Sequence, residues 1–257
     1  MSTILHLENV TRKFGGLTAV NNLSLDVEEK KIHALIGPNG SGKTTTLNMI
    51  SGALRVTSGS VFYRESEISK LPEVGVARSG IGRTFQNIKL FSSMTALENV
   101  MVGGHRFAKT GMVMGLINFP KAIREERELK ERAEETLNFL GMYHLRNETV
   151  KNLPYGRQKV LEIGRTIIAD PELILLDEPA AGLNPSERQE FITLLVKLNE
   201  GGKTLFLIEH NMDVVMAISH KITVLNFGAK IAEGLPQEMQ IDSEVIKAYL
   251  GSHYKKQ

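Results

Sequence analysis

Three segments of this 257-residue chain bring together side chains able to do chemistry. Gly37-Pro38-Asn39-Gly40-Ser41-Gly42-Lys43-Thr44, continued by Thr45, fits G-x-x-x-x-G-K-[ST] between a strand-like and a helix-like stretch. Glycines there let backbone N–H groups turn inward around phosphates, and the helix N-terminus adds partial positive charge. In such a loop Lys43 reaches the β- and γ-phosphates of a nucleotide, and the Thr44 hydroxyl ligates Mg²⁺. Asp177-Glu178 ends the apolar run Leu173-Ile174-Leu175-Leu176. An aspartate at that strand end holds the Mg²⁺ shell, and a glutamate one residue on can polarise an attacking water as general base. His210 follows a second apolar run, Leu205 to Ile208, and Glu209. A lone histidine is more often structural, but its strand context and its order behind the other two segments favour a role in the site.

These groups need a scaffold that places them at one edge. Ile4 to Val10, Leu23 to Val27 and Lys31 to Ile36 carry the alternating or β-branched apolar residues of strands. Val61 to Tyr63, Ile81 to Thr84, Ile222 to Leu225 and Lys230 to Glu233 are further strand candidates. Leu173 to Leu176 and Thr204 to Ile208 have the uninterrupted apolar character of central parallel strands. Helices are expected over Lys43 to Ser51, Phe91 to Val102, Lys121 to Leu140, from the Leu153 segment through Ile168, and over Pro185 to Asn199. In Lys121 to Leu140, Glu126 with Lys130 and Glu128 with Arg132 are spaced to pair along a solvent-facing side. Phe62 and Phe91 are expected in the core. The alternation predicts an α/β core with a mainly parallel sheet, interrupted by a helical insertion.

Composition narrows the class. Apolar residues make up 42% and charged residues 23%, as in an ordinary globular chain. A formal charge of +2 is too balanced to suggest a nucleic-acid binder, and the lack of cysteine excludes disulfides, thiol catalysis and Cys metal sites. No basic leader followed by an apolar stretch precedes Glu8, so no secretory signal is expected. The apolar segment Gly111 to Phe119 is far shorter than the ~20 residues a membrane span needs. It fits either a docking surface or packing within its own subdomain.

Leu153-Pro154-Tyr155-Gly156-Arg157-Gln158, ahead of Asp177-Glu178, narrows the reading further. It resembles the signature loop of ATP-binding cassette (ABC) ATPases, with Pro154-Tyr155 where that family usually has Ser-Gly. The resemblance implies a P-loop NTPase core with a mainly parallel sheet, an N-terminal antiparallel β subdomain and an inserted helical subdomain. It implies one cassette over 1–257, with its core at about 1–86 and 169–257 and the helical part at about 87–168. Residue by residue, it places Phe14 against adenine and makes Gln86, in Arg83-Thr84-Phe85-Gln86-Asn87, the glutamine loop touching Mg²⁺ and the water. His210 becomes the switch histidine at the γ-phosphate. Ala181-Gly182-Leu183-Asn184 resembles the loop that crosses to the opposite subunit, where Asp is commoner than Asn184. Tyr155, Gly156, Arg157 and Gln158 would meet the ATP held by that other subunit. Gly156 there preserves backbone flexibility, and Pro154 removes both a hydroxyl and an N–H.

Tyr155-Gly156-Arg157-Gln158 with Leu161-Glu162-Ile163, and Asp177 to Pro185, is similar to the larger ATPase subunit of branched-chain amino-acid importers. The opening Phe14-Gly15-Gly16-Leu17 and the Gln86 loop agree. That resemblance implies ATP and Mg²⁺ as ligands and a head-to-tail dimer with a second, different ATPase subunit. It also implies polytopic membrane permease subunits, an extracytoplasmic solute-binding protein, no nucleic acid, and a peripheral place on the cytoplasmic face of the inner membrane. A lipid-exporter ATPase or a soluble non-transport cassette protein would share the core motifs.

Overall fold

Ile32–Ile36 (β3), Leu173–Asp177 (β7) and Thr204–Ile208 (β8) are buried along their whole length. Strands buried throughout need cover on both faces, which a parallel sheet with helices on either side provides. The computed structural model describes residues 2–84, 88–104 and 119–254, without the side chains of 119–122 and 250–254. The chain divides into two compact units: Met1–Arg83 with Glu172–Gly182 and Arg188–Gln257, and Thr84–Pro171 with Leu183–Glu187.

The first unit carries two sheets. One is antiparallel, in the order β2-β1-β4-β5, from Thr3–Phe14 (β1), Leu17–Glu28 (β2), Ser58–Tyr63 (β4) and Ser66–Glu67 (β5). The other runs β10-β9-β3-β8-β7-β6, adding Ile81–Arg83 (β6), Lys221–Asn226 (β9) and Ala229–Gly234 (β10). All its pairings are parallel except β9 with β10. The register sets Leu35 and Asp177 on either side of Ile208. The residues after β3, β7 and β8 therefore leave the sheet at one edge, the edge where open α/β sheets bind ligands.

The first two strands run longer than the apolar alternation predicts. Register shifts lie on both sides of Val10, and Asn9 and Asn22 take φ of 50°. Such bulges re-aim a strand without ending it. The hairpin closes at Phe14 opposite Leu17, over Gly15-Gly16. Helix α1 (Lys43–Ile50) buries Leu47 and Ile50, and α2 (Glu73–Ser79), not expected from the pattern, buries Val76. One core joins both sheets, with Leu5, Leu7, Leu23 and Leu25 in the same cluster as Leu47, Leu175 and Phe206.

The second unit is helical: α3 (Ala96–Gly103), α4 (Phe119–Phe139) and α5 (Tyr155–Ile167). Leu161, Gly164 and Ile168 are buried as their spacing predicts. α3 starts five residues later than the apolar pattern suggests. Thr95 and Glu98 form a reciprocal capping box that fixes its first turn. Phe91 therefore falls in a loop and is 47% exposed, so its expected core role is corrected. The buried Asn99 ties that loop down, accepting from Phe91 N and donating to the carbonyls of Phe91 and Thr95. On α4, Arg124–Glu128 and Arg127–Glu131 are exposed ion pairs four residues apart. The second unit also takes in the start of α6 (Pro185–Glu200). The segment Gly111 to Phe119 lies, up to residue 118, outside the described residues.

His33 in β3 is 1% exposed, with its Nε2 2.8 Å from Thr223 Oγ1 and its ring against Phe206. Burial, helped by the nearby Lys221 charge, pushes its pKa down to about 4 from 6.5. The unfolded chain then binds a proton that the fold refuses between those values, so stability falls as pH drops through that window. Acidifying from pH 7 to 4.5 should cost about 2 kcal/mol through His33. Urea unfolding of the wild type and His33→Gln at both pH values should show a shallower pH dependence in the variant.

Candidate active site

The loop after β3 and the first turn of α1 form a cradle. Gly42 is the N-cap residue of α1, with φ 103° and no side-chain cap. The N–H groups of the first turn, including those of Lys43, Thr44 and Thr45, have no partner within the helix and point out of its N-terminus. A Cβ on Gly42 would lie 2.5 Å from Ala19 O of β2, so strain and close approach both require glycine there. The loop is braced internally, with Ser41 N donating to Pro38 O and Thr46 Oγ1 to Gly42 O. Asn39 and Gly40 are exposed at its tip, while Gly37 and Ser41 are buried.

Lys43 is buried in this loop. Its Nζ donates to Gly37 O at 2.8 Å and Pro38 O at 2.9 Å, with Ser41 Oγ at 3.4 Å. Burial lowers its pKa, while the charges of Glu178 and Asp177 work against that. The loop carbonyls thus hold a desolvated cation at the helix N-terminus, the electrostatics a polyphosphate requires.

Asp177 is buried at the end of β7, and its Oδ2 lies 3.8 Å from Arg83 Nη2. Arg83, at the end of β6, also donates to Asn48 Oδ1 on α1 and to Ser51 Oγ at its C-cap, both at 2.6 Å. It ties the carboxylate strand to the helix behind the cradle. Thr44 is exposed in the first turn of that helix. The hydroxyl of Thr44 and the carboxylate of Asp177 are hard oxygen donors, a set that suits Mg²⁺, which takes one or two carboxylates beside phosphate oxygens and water.

Glu178 has φ 48°, a left-handed backbone that costs a non-glycine residue about 1–2 kcal/mol. Its N–H donates to Ile208 O at 2.9 Å, and its carbonyl accepts from Ala181 N at 3.1 Å. The carboxylate Oε1 lies 2.9 Å from His210 Nε2. Two residues 32 positions apart in sequence are thus in hydrogen-bond contact because β7 and β8 are neighbours. Asn211, after the histidine, caps α7 (Met212–Ile218) by accepting from Val214 N.

Phe14 sits at the tip of the first hairpin, 42% exposed, with Arg12 stacked 4.5 Å from its ring centroid. It is an available aromatic face rather than core. Gln86 lies outside the described residues. In the second unit Pro154 is the N-cap residue of α5 and supplies no side-chain cap, so the helix begins with the backbone N–H groups of Tyr155, Gly156 and Arg157. Tyr155 is exposed, with Lys159 Nζ 5.9 Å from its ring, and Gln158 Nε2 donates back to Leu153 O. Gly156 is helical, which corrects its assignment to a flexible loop. A Cβ there would lie 2.6 Å from Glu187 Oε1, so any larger residue would have to displace the Glu187 carboxylate. Glu187 and Asn184 form a reciprocal box at the start of α6: Asn184 N donates to Glu187 Oε2 and Glu187 N to Asn184 Oδ1. Asn184 thus has a capping role for which its amide oxygen suffices.

Two charged residues near the site escape motif reading, Arg83 and Glu209. Both are charges at the end of otherwise apolar strands, which is the signal that could have found them.

A nucleotide cradle on α1, an Asp-Glu strand end, a histidine paired with that Glu and a helical unit whose α5 starts at Pro154 without a side-chain cap define an ATP-binding cassette ATPase. The ABC transporter family model matches residues 20–181, and the chain belongs to that family. A second model, for the branched-chain amino acid ATP-binding cassette transporter, matches residues 229–255. The chain is 44% identical over 249 residues to the high-affinity branched-chain amino acid transport ATP-binding protein LivG of Salmonella typhimurium, covering 96% of this chain and 98% of that protein. Among solved structures, an ATP-binding cassette of an ABC transporter in its ADP conformation superposes with TM-score 0.86 at 31% identity, over 98% of this chain and 100% of that one. A dimeric post-hydrolysis cassette bound to ADP and Pi gives TM-score 0.73 at 29% identity, over 90% and 98%. Among the described residues no helix is long and apolar enough to cross a membrane.

The cradle's dependence on Gly42 is testable. Gly42→Ala should weaken binding of a fluorescent ATP analogue by more than about tenfold, since the added methyl meets a backbone oxygen and the left-handed φ is strained. Titration of the analogue into wild type and variant measures it.

Proposed function

We propose that this chain is the ATP-hydrolysing subunit that powers import of branched-chain amino acids through a membrane ABC transporter. The observation that carries the catalytic part is the Glu178–His210 contact at 2.9 Å, at the sheet edge shared with the Lys43 loop. The match of residues 229–255 and the likeness to LivG support the substrate.

In this reading the Gly37–Thr45 cradle binds the triphosphate and Phe14 stacks on the adenine. Lys43 exchanges loop carbonyls for the β- and γ-phosphates. Thr44, Asp177 and Gln86 would hold Mg²⁺, partly through water. When bound, that ion neutralises charge on the phosphate oxygens. Glu178 takes the proton of the attacking water, and His210 orients the carboxylate and contacts the γ-phosphate. Phosphoryl transfer leaves the protein little covalent work, so catalysis is positioning and electrostatics. Tyr155, Gly156, Arg157 and Gln158 serve the ATP of a second cassette subunit, a different chain packed head to tail. Their donors there are the α5 N-terminal N–H groups, with Pro154 in place of a capping hydroxyl. The likeness to a dimeric ADP- and Pi-bound cassette supports that pairing. The cassette spans 1–257, with a core at about 1–86 and 169–257 and a helical subdomain at about 87–168. Polytopic permease subunits and, indirectly, an extracytoplasmic binding protein complete the assembly at the cytoplasmic face of the inner membrane.

Glu178→Gln keeps the side chain's size and removes the base. Turnover should fall roughly 10²–10⁴-fold while ATP still binds. Steady-state phosphate release and nucleotide titration on the same preparation check both halves, and near-normal hydrolysis would remove Glu178 from the role. Affinity purification of the chain from detergent-solubilised membranes should recover polytopic subunits. ATPase activity of that assembly, reconstituted with its binding protein, should rise on adding leucine, isoleucine or valine. Recovery of soluble partners alone would defeat the transport reading.

A further inference from the structure

Glu209 directly follows the buried strand β8 and is itself only 3% exposed. Its two carboxylate oxygens reach opposite ways. Oε1 accepts the Ala180 N–H at 2.8 Å, and Oε2 accepts the N–H groups of His210 at 3.0 Å and Asn211 at 3.3 Å. A buried carboxylate is tolerated when its charge is met by donors, and here the donors are three backbone amides from two loops. One loop carries Glu178 and the other carries His210.

We propose that Glu209 is the positioning residue that locks the Glu178 loop to the His210 segment, so that base and histidine move as one body. The inference rests on the reading of Glu178 as general base. Glu178 holds a left-handed backbone, and such a residue persists only where its surroundings over-determine it. The Ile208 carbonyl fixes its N–H, the turn to Ala181 fixes its carbonyl, and Glu209 fixes the peptide two residues on. Ile208, the last residue of β8, and Glu209, the next, thus grip the loop from adjacent positions. The same carboxylate sets the direction in which His210 leaves the strand, before Asn211 caps α7. Glu209 needs no contact with nucleotide to do this. An uncharged glutamine of the same shape offers a single acceptor oxygen and an NH₂ that must face at least one of the three amides, donor against donor.

The test compares wild type, Glu209→Gln and Glu209→Asp as full chains, in the assembled complex where activity requires it. For Glu209→Gln, kcat should fall about 10- to 100-fold with KM for ATP changed by less than about threefold, because the phosphate cradle is untouched. Hydrogen exchange in peptides covering 178–182 and 209–213 should accelerate together. In a Glu178→Gln background, adding Glu209→Gln should change the residual turnover by less than about twofold, since residues that act as a unit are non-additive. Glu209→Asp keeps the charge but is too short to reach both loops, so only one peptide should lose protection. It carries the test if the glutamine variant does not fold. The inference fails if kcat is unchanged, if KM rises in step with any loss, or if the two losses multiply in the double variant. Should Glu178→Gln alone retain hydrolysis, the assignment of the base fails instead, and the exchange data still decide whether the two loops are locked.

Discussion

Parallel pairing of β3, β8 and β7 is the constraint on which everything functional here hangs. Ile208 sits between Leu35 and Asp177, so three strand ends leave the sheet at one level. Neighbouring strands lie about 4.8 Å apart, which is the distance that two side chains can bridge. Glu178 and His210 meet for that reason, and a one-residue slip of β8 would turn the histidine to the other face. The burial of all three strands along their length makes such a slip costly, since side chains pack on both faces of the sheet.

The chemistry at that edge is largely backbone chemistry. Helices α3, α6 and α7 begin with Thr95, Asn184 and Asn211, whose side chains satisfy an N-terminal amide. α1 and α5 begin with Gly42 and Pro154, which supply no side-chain cap. At α1 the first-turn amides face the cradle, where the helix dipole favours an anion. Lys43 adds a cation already stripped of water and held by loop carbonyls. Glu209 is the converse, a buried anion whose compensation comes entirely from amides of the two loops it joins.

Much of the fold was legible because its periods are clean. The uninterrupted runs of β7 and β8, the Leu47 and Ile50 spacing on α1, and the Leu161, Gly164 and Ile168 face of α5 depend on local pattern and burial alone. The exceptions have local causes. β1 and β2 outrun their apolar alternation because bulges near Asn9 and Asn22 let polar residues continue the ladder. Helix α3 starts late because the Thr95–Glu98 box outweighs the apolar residues before it. Phe91 read as core from its type, but once the cap fixed the helix start it had no face to bury.

For the site, the order of motifs determined the identity of the cradle, the carboxylate pair and the histidine, since each needs particular atoms at a particular strand or helix end. Local chemistry also marks Gly42 and Pro154 as residues that cannot cap. Tertiary structure alone decided what lies against them. The carbonyl of Ala19 makes Gly42 obligatory, and the Glu187 carboxylate packs close against Gly156, through contacts between segments far apart in the chain. Arg83 and Glu209 look in sequence like charges next to a motif. Only the juxtaposition of β6 with α1, and of β8 with the loop after β7, shows that each holds a neighbouring element in place. Sequence period reports which face a residue takes; which distant backbone its polar atoms reach is settled only when the strands have paired.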